Sequence, residues 1–227
     1  MTAHDQRLLT AAHTGDLDAA RTALAAGADP EARDPHGRTP LLLAALADRV
    51  PVAELLVAAG ADPDAQDERE DSPWLVTGVT GSVPMMRALL PAGPDFGLTN
   101  RFGGVSLIPA AERGHVAYVR AVLAETDIDV DHVNRLGWTA LLEAVILGDG
   151  GSAHAEVVRL LLAAGADPGL ADTDGVTPLR HAERRGFGTL AELLRKAEAE
   201  AEAGTRAETR AETRAGARNE RENGGTG

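Results

Sequence analysis

The chain has 227 residues, of which 44% are hydrophobic and 25% charged, a composition typical of globular proteins that excludes disorder throughout. Its formal net charge of -13 disfavours nucleic acid as the main partner, because binding to phosphate depends on lysine and arginine. Aromatic residues make up 3% of the chain, so alanine, leucine and valine must fill most of the core.

The first residues and the cysteine content indicate in which compartment the protein functions. Residues 1–9 carry His4, Asp5 and Arg7 where a secretion signal needs an apolar block, and no apolar run approaches the ~18 residues that cross a bilayer. The absence of cysteine excludes disulfides, thiolate nucleophiles and thiolate-bound metals. The sequence therefore predicts a cytoplasmic protein without a membrane segment.

Short glycine-led segments recur along the chain. Gly-Ala-Asp-Pro stands at 27–30 and again at 60–63, Gly-Pro-Asp stands at 93–95, and Gly-Ala-Asp-Pro returns at 165–168. The first three segments follow one another at a fixed interval of 33 residues. A fixed period of this length indicates a repeat architecture.

A second recurring segment marks the start of a helix in each repeat. It reads Asp-x-x-Gly-x-Thr-Pro-Leu in its fullest form and recurs, with variations, at 34–41, 67–74, 100–107, 134–141 and 172–179. The hydroxyl residue is expected to cap the helix N-terminus, and the proline that usually follows fits the first turn. The capping residues are Thr39, Ser72, Thr139 and Thr177. A second helix then ends at a left-handed glycine such as Gly60.

One unit of two short helices and a turn is too small to enclose a core, so it is stable only when stacked on its neighbours. The pattern resembles the ankyrin repeat from about Leu8 to Arg195. This resemblance implies an all-α ankyrin-repeat solenoid of about six helix-turn-helix units with short turn or hairpin fingers. We assign the repeat domain to residues 1–197, with units at approximately 5–33, 34–66, 67–99, 100–133, 134–171 and 172–197.

Three segments are similar to those of small stand-alone bacterial ankyrin-repeat proteins, a group without an assigned activity. They are Arg-Phe-Gly-Gly at 101–104, Gly-Trp-Thr-Ala-Leu-Leu-Glu-Ala at 137–144 and Gly-Asp-Gly-Gly at 148–151. The resemblance implies a compact cytoplasmic binding protein.

The third and fourth units depart most from the repeat. In the third, Glu70 occupies the turn position where glycine is expected, and Pro84 and Pro91 are expected to interrupt the second helix. We therefore expect this unit to be the least stable. The fourth unit places Pro109 early in its first helix and ends its second helix without a glycine.

The fifth unit contains five additional residues, 149–153, between its two helices. The simpler interpretation is a glycine-rich surface loop, because loops tolerate insertions. The alternative is that Gly150 and Gly151 present backbone N–H groups to an anion or other small ligand, with weak catalysis by His154 and Glu143. No lysine follows the glycines as in a phosphate-binding P-loop.

The last segment, residues 198–227, is a charged tail of low complexity. Glutamate alternates with alanine, and Thr-Arg-Ala-Glu is then written at 205–208 and 209–212. Like charges four residues apart disfavour a helix slightly, so we expect a helical start followed mostly by disorder.

No arrangement of residues indicates an enzyme. The seven histidines are dispersed without an i, i+4 pair, and the nucleophile-elbow, dinucleotide and P-loop signatures are missing. Most aspartates lie at turn positions, where they bond to the local backbone. The sequence therefore predicts a non-enzymatic protein without a metal or cofactor.

In an ankyrin-like stack, the turn tips and first helices line a concave face, and the resemblance implies that binding takes place there. On this face, apolar residues and arginines concentrate in the fourth and fifth units, and they form a candidate patch of Arg101, Phe102, Arg113, Arg135, Leu136, Trp138, Ile146 and Leu147. Large aromatic side chains and arginine are typical of interface hot spots. The alternative is that Trp138 packs across the neighbouring turn and that the inserted loop covers Ile146 and Leu147.

The leading hypothesis is a monomeric protein-protein interaction module that binds a partner protein or peptide on the concave face, with peripheral acids selecting a basic or mixed-charge partner. The second hypothesis is small-ligand or anion binding, or weak catalysis, at the loop 149–153. The third is a structural subunit that caps or inhibits another protein. The identity of the partner is left open by the sequence.

Overall fold

The structure, a computed structural model, describes residues 1–203. Within this range the chain forms helices and no β-strand, which confirms the predicted all-α class. The helices are α1 (Ala3–Thr14), α2 (Leu17–Ala25), α3 (Pro40–Leu46), α4 (Val50–Ala58), α5 (Pro73–Thr80), α6 (Val83–Leu89), α7 (Leu107–Glu112), α8 (Val116–Glu125), α9 (Ala140–Ile146), α10 (Ser152–Ala163), α11 (Pro178–Arg184) and α12 (188–203). A 3₁₀-helix, Leu90–Ala92, follows α6.

The helices form two parallel rows. The first helices of consecutive units, α1, α3, α5, α7, α9 and α11, pack against one another in that order. The second helices, α2, α4, α6, α8 and α10, pack in a row of their own, and each unit joins the two rows. Contacts therefore run between neighbouring units, as in a linear stack.

One continuous apolar cluster runs between the rows from Leu8 to Leu194. Alanines such as Ala44 and Ala111 are fully buried where first helices meet, and leucine fills most of the remaining space. The two largest fully buried side chains are Trp74 and Tyr118, both in the middle of the stack. The predominance of small and aliphatic residues agrees with the low aromatic content.

The predicted caps begin the first helices. The Oγ1 of Thr39 accepts a hydrogen bond from the backbone N–H of Leu42, and Thr139 bonds to Leu142 in the same way. Ser72 and Thr177 cap α5 and α11 by the same geometry, each followed by proline in the first turn. These bonds satisfy N–H groups that have no partner within the helix.

The fourth unit lacks this cap. Ser106 stands before α7 with helical backbone angles and no side-chain cap, and its buried Oγ has no hydrogen-bond partner within the described residues. α7 has six residues, the fewest of any α-helix within residues 1–203, and Pro109 lies inside it. The departure of this unit from the repeat pattern therefore shortens its first helix.

Each connection between units folds into a short finger. In the finger of the second unit, the N–H of Asp34 donates to the carbonyl of Arg38, and Asp34 Oδ1 accepts from the N–H groups of His36 and Arg38. Equivalent bonds hold the later fingers, which explains the recurrent Asp or Asn at this position. Backbone bonds also join consecutive fingers, as between the Arg135 N–H and the Phe102 carbonyl at 2.9 Å.

A finger needs one residue in the left-handed conformation. Gly37, Gly103 and Gly137 adopt it with φ between +73° and +78°. In the third unit this position is Glu70, with φ +59°. A side chain with a Cβ is strained there, which localises the predicted weakness of this unit to its finger.

Two sequence expectations about helix ends are wrong. Pro84 does not interrupt α6, because α6 begins at Val83 and a proline in the first turn leaves no N–H unbonded. The insertion 149–153 is not entirely a loop, because α10 begins at Ser152 and absorbs its last two residues. Residues 198–203 continue α12, and the rest of the predicted tail lies outside the described residues.

Every pair of neighbouring units is joined by a hydrogen bond near the end of a first helix. The later unit always donates: Arg49 Nε to the His13 carbonyl, Ser82 Oγ to Asp48 Oδ1, His115 Nε2 to the Val79 carbonyl, His154 Nε2 to the Glu112 carbonyl, and Arg185 to the Ile146 and Gly148 carbonyls. We call these contacts the inter-unit bridges. Most of them satisfy carbonyl groups that the helix itself leaves open.

The strained finger gives a stability prediction. Replacing Glu70 with glycine should raise the free energy of unfolding by about 1 kcal/mol, because the left-handed conformation costs glycine little. Gly37→Ala is the matched variant at the same repeat position. It should lower the stability, since a Cβ there would also lie 3.3 Å from the backbone nitrogen of Glu68. Urea unfolding measures both, and equal stability of Glu70→Gly and wild type would contradict the assignment of strain.

Candidate functional site

A cavity of about 420 Å³ opens on the face formed by the fingers and first helices of the third, fourth and fifth units. We call it the central groove. Its lining residues are Arg69, Asp71, Val79, Asn100, Arg101, Phe102, Gly104, Ile108, Pro109, Glu112, Arg113, Asn134, Leu136, Glu143 and Leu147. The floor comes from α5, α7 and α9, and the fingers form one wall.

Exposed large apolar side chains gather at this groove. Among residues 1–203 they are Met1, Leu46, Val79, Phe102, Val133, Leu136 and Leu147, and four of them line it. Phe102 and Leu136 are each 53% exposed and Leu147 is 50% exposed. Clustered exposed apolar side chains with a polar rim are typical of interaction surfaces.

The structure brings five of the eight residues of the candidate patch together in the groove: Arg101, Phe102, Arg113, Leu136 and Leu147. The other three do not line it. Trp138 is half-buried in its finger, where its backbone pairs with Asn134. Ile146 is half-buried, and its carbonyl accepts the bridge from Arg185. The inserted loop leaves Leu147 exposed.

The third residue outside the groove, Arg135, ties neighbouring fingers together. It is exposed and donates through Nη1 to the carbonyl of Arg101 at 2.6 Å. Its other guanidinium nitrogen lies 4.0 Å from a carboxylate oxygen of Glu70. Arg135 thus borders the groove as part of the finger wall.

Arginines and acids alternate around the apolar residues. The guanidinium of Arg101 lies 4.4 Å from the ring centre of Phe102 and 3.7 Å from a carboxylate oxygen of Asp71. Arg69 and Arg113 are exposed and form no ion pair within residues 1–203. The rim therefore carries both signs of charge.

A buried carboxyl group lies in the floor of the groove. Glu143 on α9 is 7% exposed, and its Oε1 accepts a hydrogen bond of 2.8 Å from Asn134 Nδ2. Burial raises the pKa of Glu143 to about 7, and repulsion by Glu112 adds to the rise. Sequence reasoning assigned Glu143 only to the alternative site at the loop.

The repeat register contained a signal for Glu143 that the sequence interpretation did not use. The same position is Leu43 in the second unit, Val76 in the third and Pro109 in the fourth, all of them buried. A carboxyl group in place of these apolar residues costs stability through desolvation. A carboxyl group that is buried at a cost in stability and lines an exposed groove is typical of functional positions.

The structure gives the loop of the fifth unit an internal partner for its N–H groups. The N–H of Gly151 donates to Asp149 Oδ1 at 2.8 Å, and His154 Nδ1 lies 2.7 Å from the same oxygen. These contacts lower the pKa of Asp149, with the bond from Gly151 the larger cause. The position proposed for an anion is therefore occupied by a carboxylate. Glu143 and His154 form no hydrogen bond with each other.

The geometry contains no metal centre or membrane helix in the part of the chain that is described. No group of three or more histidine, aspartate or glutamate side chains within residues 1–203 is arranged to hold a metal ion. None of the helices in this range has the length and apolarity to span a membrane.

The paired helices, the fingers and the repeated caps define a class of repeat protein, and comparison with known proteins shows which one. The sequence profile described as "Ankyrin repeats (3 copies)" matches residues 4–67 and 76–172. The chain belongs to the ankyrin repeat family, whose members are generally protein-protein interaction modules and generally lack enzymatic activity.

Relatives of similar length support this membership. The chain is 44% identical to the ankyrin repeat protein YahD of Escherichia coli (strain K12) over 191 residues, which cover 84% of this chain and 95% of YahD. It is also 47% identical in sequence to the ankyrin repeat domain ABAYE2397 of Acinetobacter baumannii AYE. The crystal structure of that domain matches this one with a TM-score of 0.80, over 84% of this chain and 96% of that chain. The expected similarity to small bacterial ankyrin-repeat proteins is confirmed.

A shorter stretch matches a eukaryotic relative. The chain is 39% identical over 95 residues to cyclin-dependent kinase 4 inhibitor B of Bos taurus, a match that covers 41% of this chain and 67% of that protein. The name of this relative describes an action on another protein.

The raised pKa of Glu143 predicts a pH-dependent stability. The unfolded chain has the ordinary pKa near 4.5, so the folded protein binds the proton more tightly between about 4.5 and 7. The contribution of Glu143 to the free energy of unfolding therefore falls as the pH rises through this interval, by on the order of 3 kcal/mol.

Urea unfolding of wild type and Glu143→Gln at pH 4.5 to 8 isolates this contribution. Glutamine keeps an acceptor for Asn134 and does not titrate, so the variant should gain stability relative to wild type as the pH rises. Glu54→Gln, at an exposed position on α4, is the matched control and should give a constant difference. A constant difference for Glu143→Gln as well would contradict the raised pKa.

Proposed function

We propose that the protein is a non-enzymatic interaction module that binds a segment of a partner polypeptide in the central groove. The partner would place apolar side chains against Phe102, Leu136 and Leu147, and its polar groups against the charged rim. Binding itself, without chemical change of the partner, would be the activity.

One observation carries this proposal. Four of the seven exposed large apolar side chains of the described residues line one cavity, although single exposed apolar residues are normally scattered over a surface. Burying them under a partner would remove them from water at a gain of about 25 cal/mol per Å² of apolar surface. The unbound protein does not obtain this gain, because these side chains lie outside its core and remain exposed to water.

The charges around the groove suit a partner of mixed charge. Arg101 stacks on Phe102 and lies beside Asp71, so this part of the rim is already compensated. Arg69 and Arg113 offer donors to acidic groups of a partner, and Glu112 offers an acceptor to basic ones. A rim with alternating charges selects a partner by the positions of its individual charges more than by its net charge.

The construction of the groove favours binding without rearrangement. Its floor consists of helices held by a continuous core, and its wall consists of fingers joined by backbone hydrogen bonds. Side chains that are already ordered lose little conformational entropy when a partner docks. The family membership and the kinase inhibitor among the relatives support the same function.

Affinity capture followed by direct titration tests the proposal. The bait is the full chain, and the partner captured from its native cells is purified and its Kd measured for wild type, Phe102→Ala and Leu136→Ala. Each variant should weaken binding by about tenfold or more, because exposed apolar anchors at the centre of an interface dominate affinity.

Val133→Ala is the matched control, since Val133 is 51% exposed and lies outside the groove. It should bind like wild type, and Trp138→Ala tests the part of the candidate patch that does not line the groove. A partner whose Kd is unchanged by Phe102→Ala and Leu136→Ala, with both variants folded, would show that binding takes place elsewhere.

A further inference from the structure

Glu143 has a free hydrogen-bonding atom on the side of the groove. Its Oε1 is bonded to Asn134, whereas its Oε2 has no hydrogen-bond partner within residues 1–203. Oε2 is also not among the buried polar atoms without a partner, so it remains accessible from the cavity that Glu143 lines. The groove thus contains an acceptor that the protein itself does not use.

The charges around Glu143 favour a positive occupant. From α7, Glu112 and Arg113 act on it in opposite directions, and the repulsion by Glu112 is the larger influence. Neither Glu112 nor Glu143 forms an ion pair within the described part of the chain. The floor therefore carries two carboxyl groups with one exposed arginine near them, and a bound cation would compensate this imbalance.

The basic groups of α10 and α11 do not supply that cation. On α11, the residue at the repeat position of Glu143 is His181, whose Nε2 lies 2.7 Å from Asp172 Oδ2. Arg185, also from α11, is bonded to the carbonyls of Ile146 and Gly148. From α10, His154 is bonded to the carbonyl of Glu112 and lies beside Asp149. These three basic groups of α10 and α11 therefore already have partners, and Arg113 is the one basic group named near Glu143 that has none within residues 1–203.

The apolar residues determine what kind of cation fits. Phe102, Leu136 and Leu147 are exposed around the cavity, and Ile108 and Pro109 belong to its floor. A long aliphatic stem that ends in a charge, as in lysine or arginine, packs along apolar surface and delivers its head to a buried acceptor. A small inorganic cation would leave these apolar side chains in water.

We propose that Glu143 recognises a lysine or arginine side chain of the partner, inserted into the central groove between two apolar residues of the same segment. The inference rests on the proposed function and specifies its partner. Ionised Glu143 accepts a hydrogen bond from the ammonium or guanidinium group through Oε2, while Oε1 stays bonded to Asn134. Glu143 is thus a specificity-determining residue, and the apolar residues supply most of the contact area.

Selection from a phage library of random 12-residue peptides, with the full chain as target at pH 8, tests the inference. Enriched peptides are synthesised and titrated against wild type, Phe102→Ala and Glu143→Gln. We expect the peptides to carry lysine or arginine flanked by apolar residues. Glu143→Gln should weaken them about tenfold at pH 8, and replacing the basic residue of the peptide with methionine should remove most of that difference.

The pH dependence provides a second readout that a structural role of Glu143 would not give. Peptides with an acetylated N-terminus and without histidine keep their charge between pH 6 and 8, whereas Glu143 loses its proton in this interval. Wild-type affinity should therefore rise about tenfold from pH 6 to pH 8, and the affinity of Glu143→Gln should stay constant. His181 and His154 are present in both proteins, so they cannot produce the difference.

The outcomes separate the two proposals. Peptides can also depend on Phe102 without supporting a role for Glu143. Such peptides lose affinity with Phe102→Ala but lack a basic residue, carry an acidic residue that pairs with Arg113, or bind Glu143→Gln as well as wild type. They would overturn the role of Glu143 and leave the groove as a binding site. A library without any peptide that depends on Phe102 would overturn the proposed function and this inference with it. Glu143→Leu, which restores the residue type of Leu43, checks that altered binding does not reflect misfolding.

Discussion

Each helix pair completes its core only against the pair before it and the pair after it. The apolar faces of α3 and α4, for example, are covered by the helices of the first and third units, and nothing within the second unit replaces them. A leucine or alanine at the junction therefore stabilises two units at once. This dependence on neighbours explains why small and aliphatic residues recur at the junctions between units.

The groove follows from the same constraint. Stacking fixes the first helices at one face and sets the fingers beside them, so side chains that point away from the core on consecutive units share one surface. The third and fourth units depart from the repeat pattern at Glu70 and Ser106. Glu70 stands between the lining residues Arg69 and Asp71, and Ser106 directly precedes α7, which forms part of the floor. Local regularity is thus lowest where the exposed apolar residues are concentrated. Departures of this kind are expected where a sequence serves a purpose besides folding.

The sequence predicted those features that depend on local hydrogen bonds. A threonine or serine before proline forms the cap of a helix wherever it occurs in this chain, and the left-handed glycine follows from the turn. The extension of α10 into the insertion was missed, because Ser152 and Ala153 are as compatible with a loop as with a helix. Pro84 was misinterpreted because the effect of a proline depends on its position in the helix. In the first turn it leaves no N–H unbonded, whereas beyond the first turn it would interrupt the helix.

The candidate site was predicted less completely than the fold. Phe102, Leu136 and Leu147 were predicted on this face because repeat position tells which side a residue faces, and all three line the groove. The partial burial of Trp138 depends on the conformation of its finger, and that of Ile146 on the bridge from Arg185 to its carbonyl. Neither contact is encoded in a local sequence pattern. Glu143 required a comparison of the same position across units, where a single acid replaces three apolar residues. Its environment, set by Asn134 and Glu112, is visible only in three dimensions.

The inter-unit bridges have a direction, since the later unit donates and the earlier unit accepts in every case. In four of the five bridges the acceptors are backbone carbonyl groups at or just after the end of a first helix, and during synthesis on the ribosome they remain without this donor until the following unit has emerged. The growing chain thus has a single unfinished edge, which moves toward the C-terminus as translation proceeds. Assembly from the first unit onward closes each open end in turn, and an interrupted chain would end in the one unit whose carbonyl groups no successor has covered.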